Sequence, residues 1–545
     1  MFGPTIHIIG SRMQKPSGAR ISYGAVPSLT TILGISVFNF CLISLTAVNN
    51  IIFLPSHTED MDEANLLALL NRMNLWWEGE EVQDSLKKAN HRRRDFYKIR
   101  ERLMTSQRSI MTVRGPRQVG KTTLCGQLIE SLLNEDDIPG GRIMYLTIEN
   151  SAILSNPDGV IEDAIEAFKT NILQKDFRDV DQTVYIFIDE VQKAPNWADT
   201  LKYYTDTYSN LQFVATGSIS TLIKSDAGDT LIGRMDERIM MPMKFIEYVR
   251  HESVINEETV YDESTELRSK LAESVKEGDS AAIRGALARF FGLYENKKPQ
   301  LKRLKDEYLL KGGYPGVLNE TVPDSYTVLD ADLRNTVTGD LANVFNVEKP
   351  EKVLRVLSLL AASTGSKVSK SSIADAAAVS RQTVDAYLEY LDEFYLINRC
   401  PTYRGSEYSS GGLPKIYLQD VGIYNALNGT LAESTLESPD AMGSIFETAI
   451  CDHTRRLQFF LSNAQNADIY YNEPGGEVDF VLEGNEYLLP IEVKNGDSTS
   501  RSLRGLKRFI EERDADFGVC INNSDVLDNN EGIVHIPAWI YLFLC

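Results

Sequence analysis

The run Gly115-Pro116-Arg117-Gln118-Val119-Gly120-Lys121-Thr122, followed by Thr123, fits the pattern G-x-x-x-x-G-K-[ST]. In such a loop the backbone N–H groups and the N-terminus of the next helix wrap the β- and γ-phosphates of a nucleotide. Lys121 would neutralise phosphate charge, and the Thr122 hydroxyl would sit on Mg²⁺. Gly115 to Thr123 is therefore the candidate binding stretch, with ATP and Mg²⁺ as its ligands. Downstream, Ile186-Phe187-Ile188-Asp189-Glu190 is an apolar strand ending in two acids. Asp189 would hold the Mg²⁺ through water, and Glu190 is placed to polarise an attacking water. The second acid points to hydrolysis rather than phosphate transfer to a metabolite.

The elements that must position these residues are legible around them. Ser109 to Arg114 reads as a short buried strand before the loop, and Thr122 to Leu133 has helical apolar spacing after it. A third strand, Leu211 to Thr216, runs into Gly217-Ser218. Arg234 and Arg238 are the later candidates for an arginine that stabilises the transition state, since a guanidinium fork suits a triphosphate. A surface or salt-bridged role is the competing reading for each. Arg117, inside the loop, is expected to brace it.

A second constellation lies near the C-terminus. Gly476 to Lys494 reads as a hairpin turning at Gly484-Asn485, which sets Asp479 opposite Pro490 and Glu477 opposite Glu492. Alternation places Asp479, Glu492 and Lys494 on one sheet face, diagonal neighbours about 7–8 Å apart or closer. Two carboxylates and a lysine can hold a hard cation and orient a water. The helix Met442 to Cys451 would bring Glu447 alongside. The pattern α-β-β-β-α-β with Asp479 and then Glu492-x-Lys494 resembles the PD-(D/E)XK nuclease superfamily. That resemblance implies metal on Asp479 and Glu492, with Lys494 and Glu447 completing a catalytic group.

Composition limits the partners. The chain has 545 residues, enough for three or four domains, and its 43% hydrophobic content is that of an ordinary globular protein. A net charge of −21 argues against a broad basic nucleic-acid surface, so any DNA contact must be local. Six scattered cysteines include no C-x-x-C pair, which fits a reducing cytoplasmic setting without a zinc site or disulfide frame. Residues 1–60 form an apolar N-terminal extension whose stretch from Ile21 to Thr58 is uncharged, with no Asp, Glu, Lys or Arg. A translated upstream region, with the true start at Met61 or Met73, is the preferred reading over a membrane anchor or signal.

The remaining divisions follow the patterning. N-terminal helices occupy 61–106, a P-loop ATPase domain 107–250, and a helical lid or insertion 251–335. Residues 336–405 carry three helical patterns and a strand in the order of a winged helix-turn-helix, with Ser380 to Thr383 opening the recognition helix. The acids Asp385, Glu389, Asp392 and Glu393 on that helix leave DNA binding and a purely structural role equally open. Residues 406–545 form the nuclease-like α/β end.

Together these stretches resemble a large bacterial and archaeal family of ATP-binding proteins. Its members join an AAA-type ATPase to a C-terminal part of uncharacterised function with a winged helix and a nuclease-like end. The resemblance covers about residues 73–545. It implies an α/β fold with a parallel P-loop sheet, and it offers Thr216 or Ser218 as a γ-phosphate sensor and Arg234 as a catalytic arginine. The expected function is ATP hydrolysis that drives or gates the C-terminal module on DNA. A regulatory protein with a silent nuclease-like domain is the alternative. Self-association is a further expected partner mode, and a membrane is not.

Overall fold

The computed structural model describes residues 62–545, apart from 89–90, 106–109, 218–230, 232, 256, 406–412, 430–438, 463–467, 474–475, 497–500, 526, 528–531 and 545. The apolar N-terminal extension and Ser218 lie outside the described residues. Among those described, no helix is long and apolar enough to cross a membrane.

Helix α1 (Arg94–Thr105) leads into a five-stranded, all-parallel sheet. Its strands are β1 (Ile110–Arg114), β2 (Ile143–Thr147), β3 (Val184–Asp189), β4 (Leu211–Gly217) and β5 (Met235–Ile239), in the order β2-β3-β4-β1-β5. Every residue of β1 and β3 is buried, as a parallel sheet covered on both faces requires. This is why the sequence reads there as continuous apolar runs rather than alternation. Helix α2 (Lys121–Asn134) starts directly from the phosphate loop.

The stretch expected to be a lid divides in two. Helices α3 (Phe245–His251), α4 (Glu257–Glu277), α5 (Ala281–Tyr294) and α6 (Lys298–Lys311) follow β5. Of these, α4 and α5 grip the end of the chain. Ser264 donates to the Phe543 carbonyl, Phe290 packs on Trp539 and Phe543, and Tyr294 stacks on Phe543. The helix that reaches the phosphate loop is the next one, α7 (Val322–Asn335), which continues into a π-helical turn, Thr336–Leu341.

Three helices then follow in close order: α8 (Pro350–Ala362), α9 (Lys370–Ala377) and α10 (Arg381–Glu393). An antiparallel pair, β6 (Ile397–Cys400) and β7 (Lys415–Leu418), comes after them. Ser380 caps α10 by accepting from Thr383 N at 3.0 Å, and Ser380, Arg381 and Gln382 are exposed. Helix α11 (Val421–Asn428) leads to the long helix α12 (Pro439–Ser462). A mixed sheet follows, built from β8 (Tyr470–Asn472), β9 (Val478–Gly484), β10 (Tyr487–Lys494), β11 (Gly518–Asn522) and β12 (Ile533–Pro537). Its strand order is β12-β11-β10-β9-β8. Helix α13 (Arg504–Arg513) lies between β10 and β11 in the chain.

Residues 60–545 form one compact unit. A continuous apolar cluster runs from Trp76 through Tyr308, Leu388 and Ile445 to Leu544. The ATPase and C-terminal parts, read from sequence as separate domains, therefore share a core. His453 on α12 shows how tightly they join. It is fully buried, its Nδ1 donates to the Ala449 carbonyl (2.9 Å), and its Nε2 accepts from Phe245 N on α3 (3.3 Å). Those roles need the neutral ring, and burial depresses its pKa to about 4. The unfolded chain protonates near 6.5, so it binds the proton first as pH falls. Stability is expected to be full above about pH 6.5 and to drop toward pH 4. Thermal unfolding across that window checks this, and His453→Gln should flatten the slope.

Candidate nucleotide site and C-terminal carboxylate cluster

The phosphate loop is shaped by close approach. A Cβ on Gly115 would lie 1.9 Å from the Met240 carbonyl oxygen, so no larger residue fits without moving β5 or the loop. Gln118 (φ 59°) and Gly120 (φ 97°) both adopt left-handed backbone, which turns the loop into helix α2. Gly115→Ala is expected to destabilise the fold by about 1–3 kcal/mol, as overpacking does. Denaturant unfolding measures it.

Inside the loop the Lys121 Nζ donates to the carbonyls of Gly115 (3.1 Å) and Pro116 (2.8 Å). Its pKa is lowered by burial, against the opposing charges of Glu190 and Asp189. Asp189 is the hub of the site. One carboxylate oxygen accepts from Thr122 Oγ1 at 2.7 Å and from the Tyr145 hydroxyl at 3.2 Å, and the other accepts from Thr216 Oγ1. Burial first, and then the neighbouring Glu190, push its pKa up. Glu190 ends β3 in left-handed backbone (φ 55°), and its carboxylate accepts from Gln192 Nε2 at 2.6 Å. Its backbone N–H donates to Thr216 Oγ1 at 3.3 Å. Lys121, Thr122, Asp189, Glu190 and Thr216 thus meet at the C-terminal ends of three neighbouring strands.

Arg117 does brace the loop, but across to another element. Its Nε donates to Asp340 in the π turn at 2.7 Å, and Gln118 Nε2 reaches Asp332 on α7 at 2.5 Å. Sequence reasoning missed both acids, which lie more than 200 residues from the loop and belong to no motif. Arg234 is not brought to the site. Its carbonyl accepts from Ile110 N at the start of β1, while the loop leaves the other end of that strand. Five strand residues separate the two, about 16 Å. The Arg234 guanidinium instead grips Asp206 at 2.6 and 3.2 Å.

The C-terminal residues converge, with a shift of register. Pro490 pairs with Val481 and Ile491 with Phe480, so the turn is Asn485-Glu486 rather than Gly484-Asn485. The Tyr487 ring lies where a side chain on Gly484 would be, which fixes that pairing. A slip of two residues keeps every side chain on its own face, so Asp479, Glu492 and Lys494 remain together. Asp479 accepts from Val493 N at 2.8 Å, and Lys494 is bonded to Glu492.

A residue not foreseen from sequence stands at the centre. The Lys415 Nζ, arriving from β7, lies 2.9 Å from Glu477, 3.8 Å from Glu447 and 3.9 Å from Asp479. Tyr417, two residues on, donates to Glu447 at 2.5 Å. Burial first, and then the charge of Asp479, push Glu447 to about 7 and Glu492 to about 8. Oε2 of Glu492 is buried without a hydrogen-bond partner, an acceptor that a cation would satisfy. Even so, no group of three His, Cys, Asp or Glu among the described residues is spaced to hold a metal. The carboxylates gather around an ammonium instead.

Residues 107–249 match the family model described as an AAA domain. The chain carries an AAA-type ATPase domain. Two further matches are to domains of unknown function, DUF8612 over 302–434 and DUF4143 over 442–541. An uncharacterised protein of Methanocaldococcus jannaschii is 24% identical over 438 residues, covering 79% of this chain and 84% of that protein. One of Haemophilus influenzae is 22% identical over 321 residues, 58% of this chain and 68% of that protein. Among solved structures, an Aeropyrum pernix ORC2 protein in its ADP form aligns with 59% of this chain and 87% of its own at 14% identity. Its TM-score of 0.27 is too low to carry an argument, and the α/β P-loop assignment of this AAA domain rests on the sheet and the loop.

Proposed function

We propose that this protein hydrolyses ATP at the phosphate loop and uses the cycle to gate its nuclease-like C-terminal part on DNA. The observation that carries the ATPase reading is Asp189 held between Thr122 and Thr216 at the strand ends. Thr122 Oγ1 and Asp189 are adjacent hard oxygens, the donor type Mg²⁺ takes. They would hold the ion, which would neutralise phosphate charge. Lys121, now satisfied by two loop carbonyls, would turn to the phosphates, and Glu190 would orient the attacking water.

Gating follows from the braces on the loop. An arriving phosphate competes with Asp340 for Arg117, so binding would loosen the loop from α7 and its π turn. Asp340→Asn removes the competitor and is expected to tighten ATP binding by up to about 5-fold, the size of a partly exposed ion pair. Equilibrium nucleotide titration checks it. In the C-terminal part, a divalent ion that displaced the Lys415 ammonium would take Asp479, Glu492 and Glu447 as hard-oxygen donors, and Lys494 would orient a water. The exposed start of α10 is the proposed winged-helix surface for DNA.

A second reading is favoured by Lys415, whose ammonium sits among the carboxylates. In it the C-terminal part is a catalytically silent regulatory module. Mg²⁺-dependent nicking of plasmid DNA, measured with and without ATP, separates the two. Nicking supports the first. Its absence, with ATPase activity stimulated by DNA, supports the second.

A further inference from the structure

A cavity of about 420 Å³ opens along β5, bounded by α1, the start of α3, the end of α10 and the middle of α12. That volume lies within the usual range for small-molecule sites, roughly 300–1,000 Å³. Six acids and eight bases line it, and the acids are engaged: Asp95 lies 3.8 Å from Arg93, and Glu393 has a partner of its own. Glu247 is held by Arg93 at 2.9 Å, Glu237 by Arg114 at 2.7 Å and Asp452 by Arg456 at 2.9 Å, while Asp392 pairs with Arg399 at 3.4 Å. Lys98, Arg238 and Lys244 also line the cavity. Among the described residues their side chains make no ion pair or hydrogen bond, and the Arg238 Nε is buried without a partner. Asp95 and Glu247 lie near Lys98 and Lys244 but are held by Arg93, and cations that outnumber their acids in a cavity favour an anion that completes them. This is a local excess of positive charge in a chain whose net charge is −21.

We propose that this cavity binds a small phosphate-bearing anion, held by Arg238, Lys244 and Lys98, as a second ligand site apart from the phosphate loop. None of Gly115 to Thr123, Asp189, Glu190 or Thr216 lines it. β5 is the sheet's edge, three strand spacings from β3, about 14 Å from the Asp189 strand. Guanidinium and ammonium donors converging on one space suit the several oxygens of a phosphate or diphosphate. The cavity is too small to admit a duplex. Its walls come from the AAA segment and from both segments that follow it, so an anion there would tie all three together.

Lys244 reports on occupancy. It is flanked by Arg456 from α12, Arg268 from α4, Arg94 from α1 and Glu247 from its own helix; burial first, and then Arg456, lower its pKa to about 7. An anion beside it would restore the proton, so binding at pH 8 should take up protons. In the empty protein the unfolded chain holds that proton up to about pH 10.4, so stability should rise with pH from about 7 to that value.

The test is calorimetry of inorganic pyrophosphate with the full chain, in buffers of different ionisation enthalpy. In Lys121→Ala, which disables the phosphate loop, one site should remain, with an enthalpy that depends on the buffer. Adding Lys244→Met should abolish the proton uptake and weaken binding at least tenfold, and adding Arg238→Gln should weaken it further. Lys244→Met removes a buried amine whose ionisation is disfavoured, so it should not lower the melting temperature and can be read alone if the arginine variant misfolds. Loss of all pyrophosphate binding in Lys121→Ala overturns the second site, and so does binding indifferent to Lys244 and Arg238. If a 5′-phosphorylated single-stranded oligonucleotide binds through these residues and pyrophosphate does not, the small-ligand assignment is wrong. Failure of the loop as an ATP site would appear separately, as wild-type and Lys121→Ala protein binding pyrophosphate identically.

Discussion

Glu190→Gln is expected to bind ATP nearly as wild type does and to hydrolyse it about 10²–10⁴-fold more slowly, the range for loss of a general base. The substitution keeps the shape of the side chain, and an amide still pairs with Gln192. It lacks a basic oxygen to polarise water. The site separates this step from binding, because Lys121 and Thr122 come from the loop while Glu190 comes from the end of β3. Lys121→Ala should instead weaken binding itself, since no other lysine lies in the loop to meet the phosphate charge. Single-turnover hydrolysis beside equilibrium nucleotide binding distinguishes the two. Wild-type turnover in Glu190→Gln would remove Glu190 from the mechanism.

If the C-terminal part cleaves DNA as proposed, Asp479→Asn and Glu492→Gln are each expected to lower Mg²⁺-dependent cleavage by about 10²-fold or more, with ATP turnover largely kept. In the proposed nuclease reading Asp479 and Glu492 are the anionic ligands of a hard cation, and an amide in place of either acid takes one of them away. ATP turnover should persist because neither residue touches the loop, although the two parts share one core. Paired nicking and phosphate-release assays measure both activities in one preparation. If cleavage survives both substitutions, these carboxylates are not its source.

How legible the nucleotide site was depended on chain distance. Gly115 to Thr123 is contiguous, and a backbone cradle needs a fixed local spacing, so the loop announced itself. Asp189 and Glu190 were legible because the buried strand must be apolar up to its end, where Asp189 closes it and Glu190 stands just beyond. The partners Asp340 and Asp332 carry no local signal, since an acid on a helix is equally at home in water. Arg234 misled because an arginine near the end of an AAA-like stretch suits the chemistry, yet strand β5 begins just beyond it, at the wrong end of the sheet.

The C-terminal cluster divides the same way. Period-two alternation alone placed Asp479, Glu492 and Lys494 on one face, and it survived the two-residue error in register because both registers share parity. The register itself depended on Tyr487 covering Gly484, a packing choice among equivalent turns. Lys415 lies 32 residues before Glu447, on a different, two-stranded sheet, and only folding sets its ammonium among the carboxylates.

By itself, then, the sequence determined what local periodicity and local spacing can encode: a phosphate loop, an acid-ended buried strand, and a shared face for three charged residues. Tertiary structure decided which distant charges meet. It joined Arg117 to Asp340, set Lys415 within the carboxylates, merged the parts into one core through His453, and left Arg238 and Lys244 lining a cavity with no ion pair among the described residues. The physical reason is that backbone hydrogen bonding and side-chain alternation act over a few residues. Ion pairing and burial act through space, and a chain records no distance between residues that only packing brings together.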